Sequence, residues 1–191
     1  VDATELLHQG RDALSSGDWA AARDILQQAV EADPSPEAYE ELGTALWWLD
    51  DQANVLETRE TAFRLYRVAG DDRSAARLAT LLALDYVDYR DDMAVGSGWM
   101  QRAEHLLEGI PASAEHAWAN LYGGLKALMF DNDMPEAKRR RDAALALAQE
   151  LGNLDVEMMA VGLEGLILIR EGRFTDGMLR IDEAMTAAVG G

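Results

Sequence analysis

The most regular feature of the hydrophobic pattern is a small residue followed seven positions later by alanine. It occurs at Ala22 and Ala29, Val55 and Ala62, Gly96 and Ala103, Ala137 and Ala144, and Gly177 and Ala184, with steps of 33, 41, 41 and 40 residues between successive pairs. Seven positions are about two helical turns, so the members of a pair lie on one face of a helix. Each pair falls on the second of two helical stretches separated by a short polar turn, which makes each unit a helical hairpin. Helices are predicted over residues 3 to 15, 18 to 32, 36 to 49, 52 to 69, 72 to 90, 92 to 108, 113 to 130, 134 to 150, 154 to 171 and 174 to 188. No strand is expected, because the apolar run Leu166 to Ile169 lies inside a longer helical pattern.

The turns inside the hairpins read Gly17-Asp18-Trp19, Asp50-Asp51-Gln52, Asp91-Asp92-Met93, Asp131-Asn132-Asp133 and Gly172-Arg173-Phe174. Asp and Asn accept the orphan N–H groups of a following helix, and Gly or Asn ends the preceding one in the left-handed conformation. Between hairpins the stops are Asp33-Pro34-Ser35-Pro36, Gly70-Asp71-Asp72, Gly109-Ile110-Pro111 and Leu151-Gly152-Asn153. One domain over residues 1 to 191 is expected, with units of about 3 to 34, 36 to 70, 71 to 110, 112 to 152 and 153 to 189.

The first unit resembles a tetratricopeptide repeat (TPR): Gly10, Gly17-Asp18-Trp19, Ala22, Leu26, Ala29 and Asp33-Pro34 fall at that family's spacings. The second keeps Tyr39, Leu42-Gly43 and Ala62 but carries Val55 where Ala is usual, and the later three are longer and lack the closing Pro. This longer variety is similar to the repeat region of actinobacterial LuxR-type helix-turn-helix regulators, on the passages from Ala45 to Asp51, Gly70 to Arg77 and Ser97 to Met100. The resemblance implies an all-α, right-handed solenoid of about five TPR-like hairpins. It also implies a regulatory sensing or interaction domain whose DNA-binding segment lies outside this chain.

Glycine in a helix interior is unfavourable by about 1 kcal/mol, so close helix packing is the expected reason for it at Gly10, Gly43, Gly96, Gly165 and Gly177. Leu26, Leu46, Leu82, Leu106, Leu121, Leu145, Leu163, Leu168 and Ile181 are expected to fill the space between helices. Leu6 on the first helix and Met178, Ile181 and Met185 on the last have no further repeat to cover them. A second copy of the chain, or a following segment, is the expected cover.

Composition narrows the function by exclusion. The 191 residues are 49% apolar and contain no cysteine, which removes disulfides, thiolate nucleophiles and Cys-based metal sites. Thirty-five acidic residues against 17 basic ones give a formal charge of −18, which repels phosphate backbones and anionic membranes. No apolar stretch reaches the ~18 residues of a membrane span, and a cytoplasmic location is expected. His8, His105 and His116 lack the paired spacing of a zinc helix, and no phosphate loop, dinucleotide fingerprint or nucleophile elbow is present, so no cofactor and no catalysis are expected. Lys138-Arg139-Arg140-Arg141 spreads around a helix and should pair with Glu136, Asp142 or neighbouring acids. The tail-binding version of this fold grips a carboxylate with Lys, Arg and Asn, whereas the matching places here hold Leu7, Arg11, Glu41, Leu78 and Leu82.

In such arrays the first helices line a concave groove. Aligning the units assigns to it Glu37, Glu40, Thr44, Trp47 and Trp48, then Leu81, Asp85, Asp88 and Tyr89, then Tyr122, Lys126, Met129 and Phe130, and last Leu166, Ile169 and Arg170. Trp47, Trp48, Tyr89, Tyr122, Met129 and Phe130 would supply apolar contacts, and Asp85, Asp88 and Lys126 polarity. Such a groove suits a small apolar or cationic ligand or a peptide. Ordinary core packing competes for Trp47 and Trp48, since adjacent helical residues point ~100° apart and at most one should face the groove fully. Trp19, Trp99 and Trp118 are expected to pack. The alternative function is a pure scaffold that holds a partner's helix or extended segment.

Overall fold

The computed structural model describes residues 2–190. These residues form ten helices and no strand: α1 (Ala3–Ser15), α2 (Trp19–Ala32), α3 (Pro36–Trp48), α4 (Gln52–Ala69), α5 (Asp72–Arg90), α6 (Met93–Leu107), α7 (Ala114–Met129), α8 (Met134–Leu151), α9 (Leu154–Arg170) and α10 (Phe174–Gly190). Every predicted boundary lies within two residues of the observed one. The agreement has a local cause in the turn dipeptides. Gly17, Asp50, Gly70, Asp91, Asn132 and Gly152 all take the left-handed conformation that stops a helix, with φ between 53° and 76°. The next residue then caps the following helix. Asp18, Asp51, Asp71, Asp92, Asp133 and Asn153 each accept a hydrogen bond from the backbone N–H three residues on, at 3.0 to 3.4 Å. Gly172-Arg173 departs from the rule, since Arg173 cannot accept, and its guanidinium instead donates to Asp176.

The link from α6 to α7 is longer and uses a histidine. His116 places Nε2 3.2 Å from the Leu107 carbonyl and Nδ1 3.0 Å from the Ser113 hydroxyl. A carbonyl only accepts, so Nε2 carries the proton and Nδ1 accepts from Ser113. The ring thereby joins the end of one helix to the start of the next.

The chain divides into two compact units, one up to Leu106 and one from Leu107 onward. In the first unit Leu6, Ala22, Leu26, Ala29, Leu42, Leu46 and Val55 belong to one buried cluster. In the second, Leu121, Leu128, Ala137, Ala144, Val156, Leu163 and Ile167 do the same. Most members of the seven-residue pairs are fully buried: Ala22, Val55, Ala62, Ala103, Ala137 and Ala144 have no exposed surface and Ala29 almost none, whereas Ala184 is only partly buried. At the last hairpin the approach is backbone to backbone. A Cβ on Gly177 would stand 2.6 Å from the Gly165 carbonyl oxygen, and one on Gly165 would stand 2.7 Å from that of Gly177. No side chain fits there.

Two expectations about the core need correction. Leu6 is buried, at 7% exposure, because α1 lays it into the cluster formed with α2 and α3. Leu145 and Ile181 are only partly buried. On α10, Phe174, Met178, Leu179 and Met185 are all more than half exposed.

Candidate functional site

Five of the nine expected ligand-contacting residues belong to the first unit and four to the second. In the first unit the prominent feature is aromatic. Trp48, the last residue of α3, stacks on Trp19, the first residue of α2, with ring centroids 4.7 Å apart and planes 8° from parallel. Trp47 meets Trp48 edge to face at 4.9 Å. Trp47 is 42% exposed and Trp48 52%, so neither is a buried core residue. The pair occupies the final turn of α3, directly after the buried Ala45 and Leu46, and neither side chain is drawn into the core. Trp19 packs as expected, but its partner is the exposed Trp48 rather than a buried residue.

Asp85 and Asp88 have different fates. Asp85 is buried at 2% exposure, and both its oxygens accept from one guanidinium nitrogen of the buried Arg59, at 2.6 and 2.7 Å. Burial pushes the Asp85 carboxyl above its ordinary value, against the pull of Arg59. Its polarity is thus spent inside the unit. Asp88 is exposed. Tyr89 packs against the first core cluster, and its phenol is pushed up by partial burial and by the charges of Asp85, Asp50 and Asp88, against Arg59. Of the other groove assignments, Glu40 is a structural link. It accepts from the Tyr66 hydroxyl at 2.7 Å and from Arg77 at 2.6 and 2.8 Å, tying α3, α4 and α5 together. Burial and the Glu40 hydrogen bond hold the Tyr66 phenol far above its ordinary value. Arg11 is taken up by Glu41 at 2.8 Å, while Leu78 and Leu82 are fully buried, so no tail-carboxylate clamp forms at those places.

In the second unit Tyr122 stacks on Trp118 at 5.4 Å, and Lys126 donates to both oxygens of Asp131 at 2.9 and 2.7 Å. Met129 and Phe130 are 52% and 55% exposed at the end of α7. Leu166 packs against the core, and Arg170 donates to Asn132 at 2.9 Å. The basic run is internally paired: Lys138 with Glu171, Arg139 and Arg140 with Glu136, and Arg141 with Asp142 and Glu164. Hydrogen bonds from Arg139 and Arg140 hold the Glu136 carboxyl down at about 2. Among the described residues no three His, Asp or Glu side chains converge as a metal site, and no helix is long and apolar enough to cross a membrane.

Sequence reasoning missed Trp19 as a partner of Trp48 and missed Arg59 altogether. The second had a signal. Arg59 to Asp85 and Glu60 to Tyr86, both from α4 to α5, share a separation of 26 residues with Glu40 to Tyr66, from α3 to α4, so the same spacing carries polar links across two successive helix pairs.

No family model matches the sequence, and no curated protein matches it significantly. Solved structures do match. BtubC (BKLC) from P. vanneervenii is similar over 99% of this chain and 90% of its own, at 16% identity and a TM-score of 0.70. The apo form of the quorum sensor NprR from B. thuringiensis is similar over 97% of this chain, at 15% identity and a TM-score of 0.75; the match spans 53% of that protein. A thermophilic TPR protein from Thermus thermophilus is similar over 96% of this chain and 99% of its own, at 21% identity and a TM-score of 0.56. The fold is therefore all-α and TPR-like, an array of helical hairpins of the solenoid type.

Proposed function

We propose that the chain is a non-catalytic interaction domain that binds a segment of a partner protein, as the sensing part of a bacterial regulator. One observation carries this reading: large apolar side chains stay exposed at the same place in two hairpins, Trp47 and Trp48 at the end of α3 and Met129 and Phe130 at the end of α7. Aromatic side chains bury 150–250 Å² each, roughly, so leaving them in water forgoes a large gain that a partner can recover. With about half of each side chain exposed they are accessible to an extended peptide, whereas a small molecule needs burial in a concave site. The similarity of the fold to a quorum sensor and the resemblance to LuxR-type repeat regions both support a sensing role.

The test is selection of short displayed peptides against the full chain, followed by solution binding of those enriched. Enriched peptides should bind saturably and lose about tenfold in affinity with Trp47→Ala or Phe130→Ala. Failure to enrich any peptide that binds in solution would overturn the reading.

A further inference from the structure

The three tryptophans at the α2 and α3 ends differ from the other two in their ring partners and in their neighbours along the chain. Trp99 already has its cation: the Arg102 guanidinium stands 4.6 Å from the Trp99 ring centroid and 5.8 Å from that of Phe63. Trp118 stacks on Tyr122. Trp19, Trp47 and Trp48 instead lie on stretches without any basic residue, since no Lys or Arg occurs between Asp12 and Ala22 or between Asp24 and Thr58. Acids flank them. Asp18 precedes Trp19, and Asp50 and Asp51 follow Trp48 by two and three residues. Asp18 and Asp50 are exposed.

We infer that Trp19, Trp47 and Trp48 form a platform for an Arg or Lys side chain of a partner protein's segment, with Asp18 and Asp50 supplying the opposite charge. This rests on the interaction reading above and specifies its partner. The physical argument joins three elements. An exposed indole face attracts a cation through its quadrupole within about 6 Å, most strongly for Trp. The stack of Trp48 on Trp19 and the near-perpendicular contact of Trp47 with Trp48 fix the ring planes before binding, so little side-chain entropy is lost when the cation arrives. The carboxylates next to these tryptophans in the chain and the overall charge of −18 draw a basic segment toward this face and repel an acidic one. Arg is favoured over Lys, because its planar guanidinium stacks on the ring and still presents N–H groups to a carboxylate.

The experiment uses the full chain and three synthetic peptides, Ac-Gly-Leu-Arg-Gly-Leu-Arg-Gly-amide and its counterparts with Lys or Gln in place of both Arg. Binding is read by tryptophan fluorescence and by the indole N–H signals in NMR, each assigned by its Trp→Phe variant. The Arg peptide should bind about tenfold more tightly than the Gln peptide, should shift the signals of Trp19, Trp47 and Trp48, and should weaken with added salt. Trp48→Ala should lower that affinity about tenfold. The Asp18→Asn/Asp50→Asn double variant isolates charge from folding, because Asn also caps a helix and tolerates the left-handed conformation. It should melt at the wild-type temperature and bind the Arg peptide several-fold more weakly. Equal binding of the Gln peptide would overturn the cation platform while leaving the interaction domain standing, as would enriched displayed peptides lacking Arg and Lys. Shifts confined to Trp99 and Trp118, or no saturation by the Arg peptide, would also overturn it.

Discussion

Gly177 and Gly98 are both helical glycines, and their surroundings give them opposite roles. At Gly98 on α6 an added Cβ meets nothing within 4 Å. Alanine there adds helix propensity without contact, so Gly98→Ala should raise stability by about 0.5–1 kcal/mol in urea unfolding. At Gly177 the added Cβ would come to 2.6 Å from the Gly165 carbonyl oxygen and equally close to the Ile169 side chain. The first of these contacts is with backbone and cannot be relieved by a rotamer change. Gly177→Ala should therefore cost about 1–3 kcal/mol despite the same propensity gain. A stabilised Gly177→Ala protein would show that α9 and α10 can separate freely. Both positions are legible as glycines in the sequence, and the repeat alignment marks Gly177 as a packing site. The emptiness around Gly98 is not legible, because it depends on which side of α6 is covered.

Elements in the first unit are joined by apolar packing and by polar links between α3, α4 and α5. The buried Arg59–Asp85 pair connects α4 to α5, and Arg59 also lies under Gly43 of α3, where an added Cβ would be 3.0 Å from its Cγ. Two ions withdrawn from water recover much of their desolvation penalty only from each other. Removing one partner, as in Arg59→Ala or Asp85→Ala, should cost about 3–5 kcal/mol because the remaining charge is buried and unpaired. The double substitution Arg59→Met/Asp85→Leu should lie within about 1–2 kcal/mol of wild type, by urea unfolding of all four proteins. If each single variant lost no more than a surface pair would, the pair would have to be reached by water. The sequence places both residues on helices, but their burial follows from the docking of α4 on α5. For the same reason Asp85 was expected in a groove: the 3.6-residue period gives its face, and only the packed neighbour reveals that Arg59 occupies it.

At the level of the whole molecule the excess of acid acts through numbers rather than through single contacts. Eighteen uncompensated negative charges repel one another in the folded chain more than in the expanded one, over distances of about a Debye length. Raising NaCl from about 0.01 M to about 0.5 M should therefore raise Tm, although it weakens surface pairs such as Arg173–Asp176 and Arg180–Glu183. A fall in Tm over that range would mean that the surface pairs outweigh the repulsion. The sequence by itself determined the ten helices, since eight of them start at a residue whose own side chain caps the helix and many stop at residues that take the left-handed conformation locally. It determined the hairpin repeat, because a small residue every seven positions is the local condition for close helix crossing. Tertiary structure alone decided the stacking of Trp19 on Trp48, the withdrawal of Asp85 from the surface and the division into two compact units. Those depend on which distant segments meet, and a periodic pattern repeated five times gives the same local instruction at every hairpin while leaving the contacts to packing.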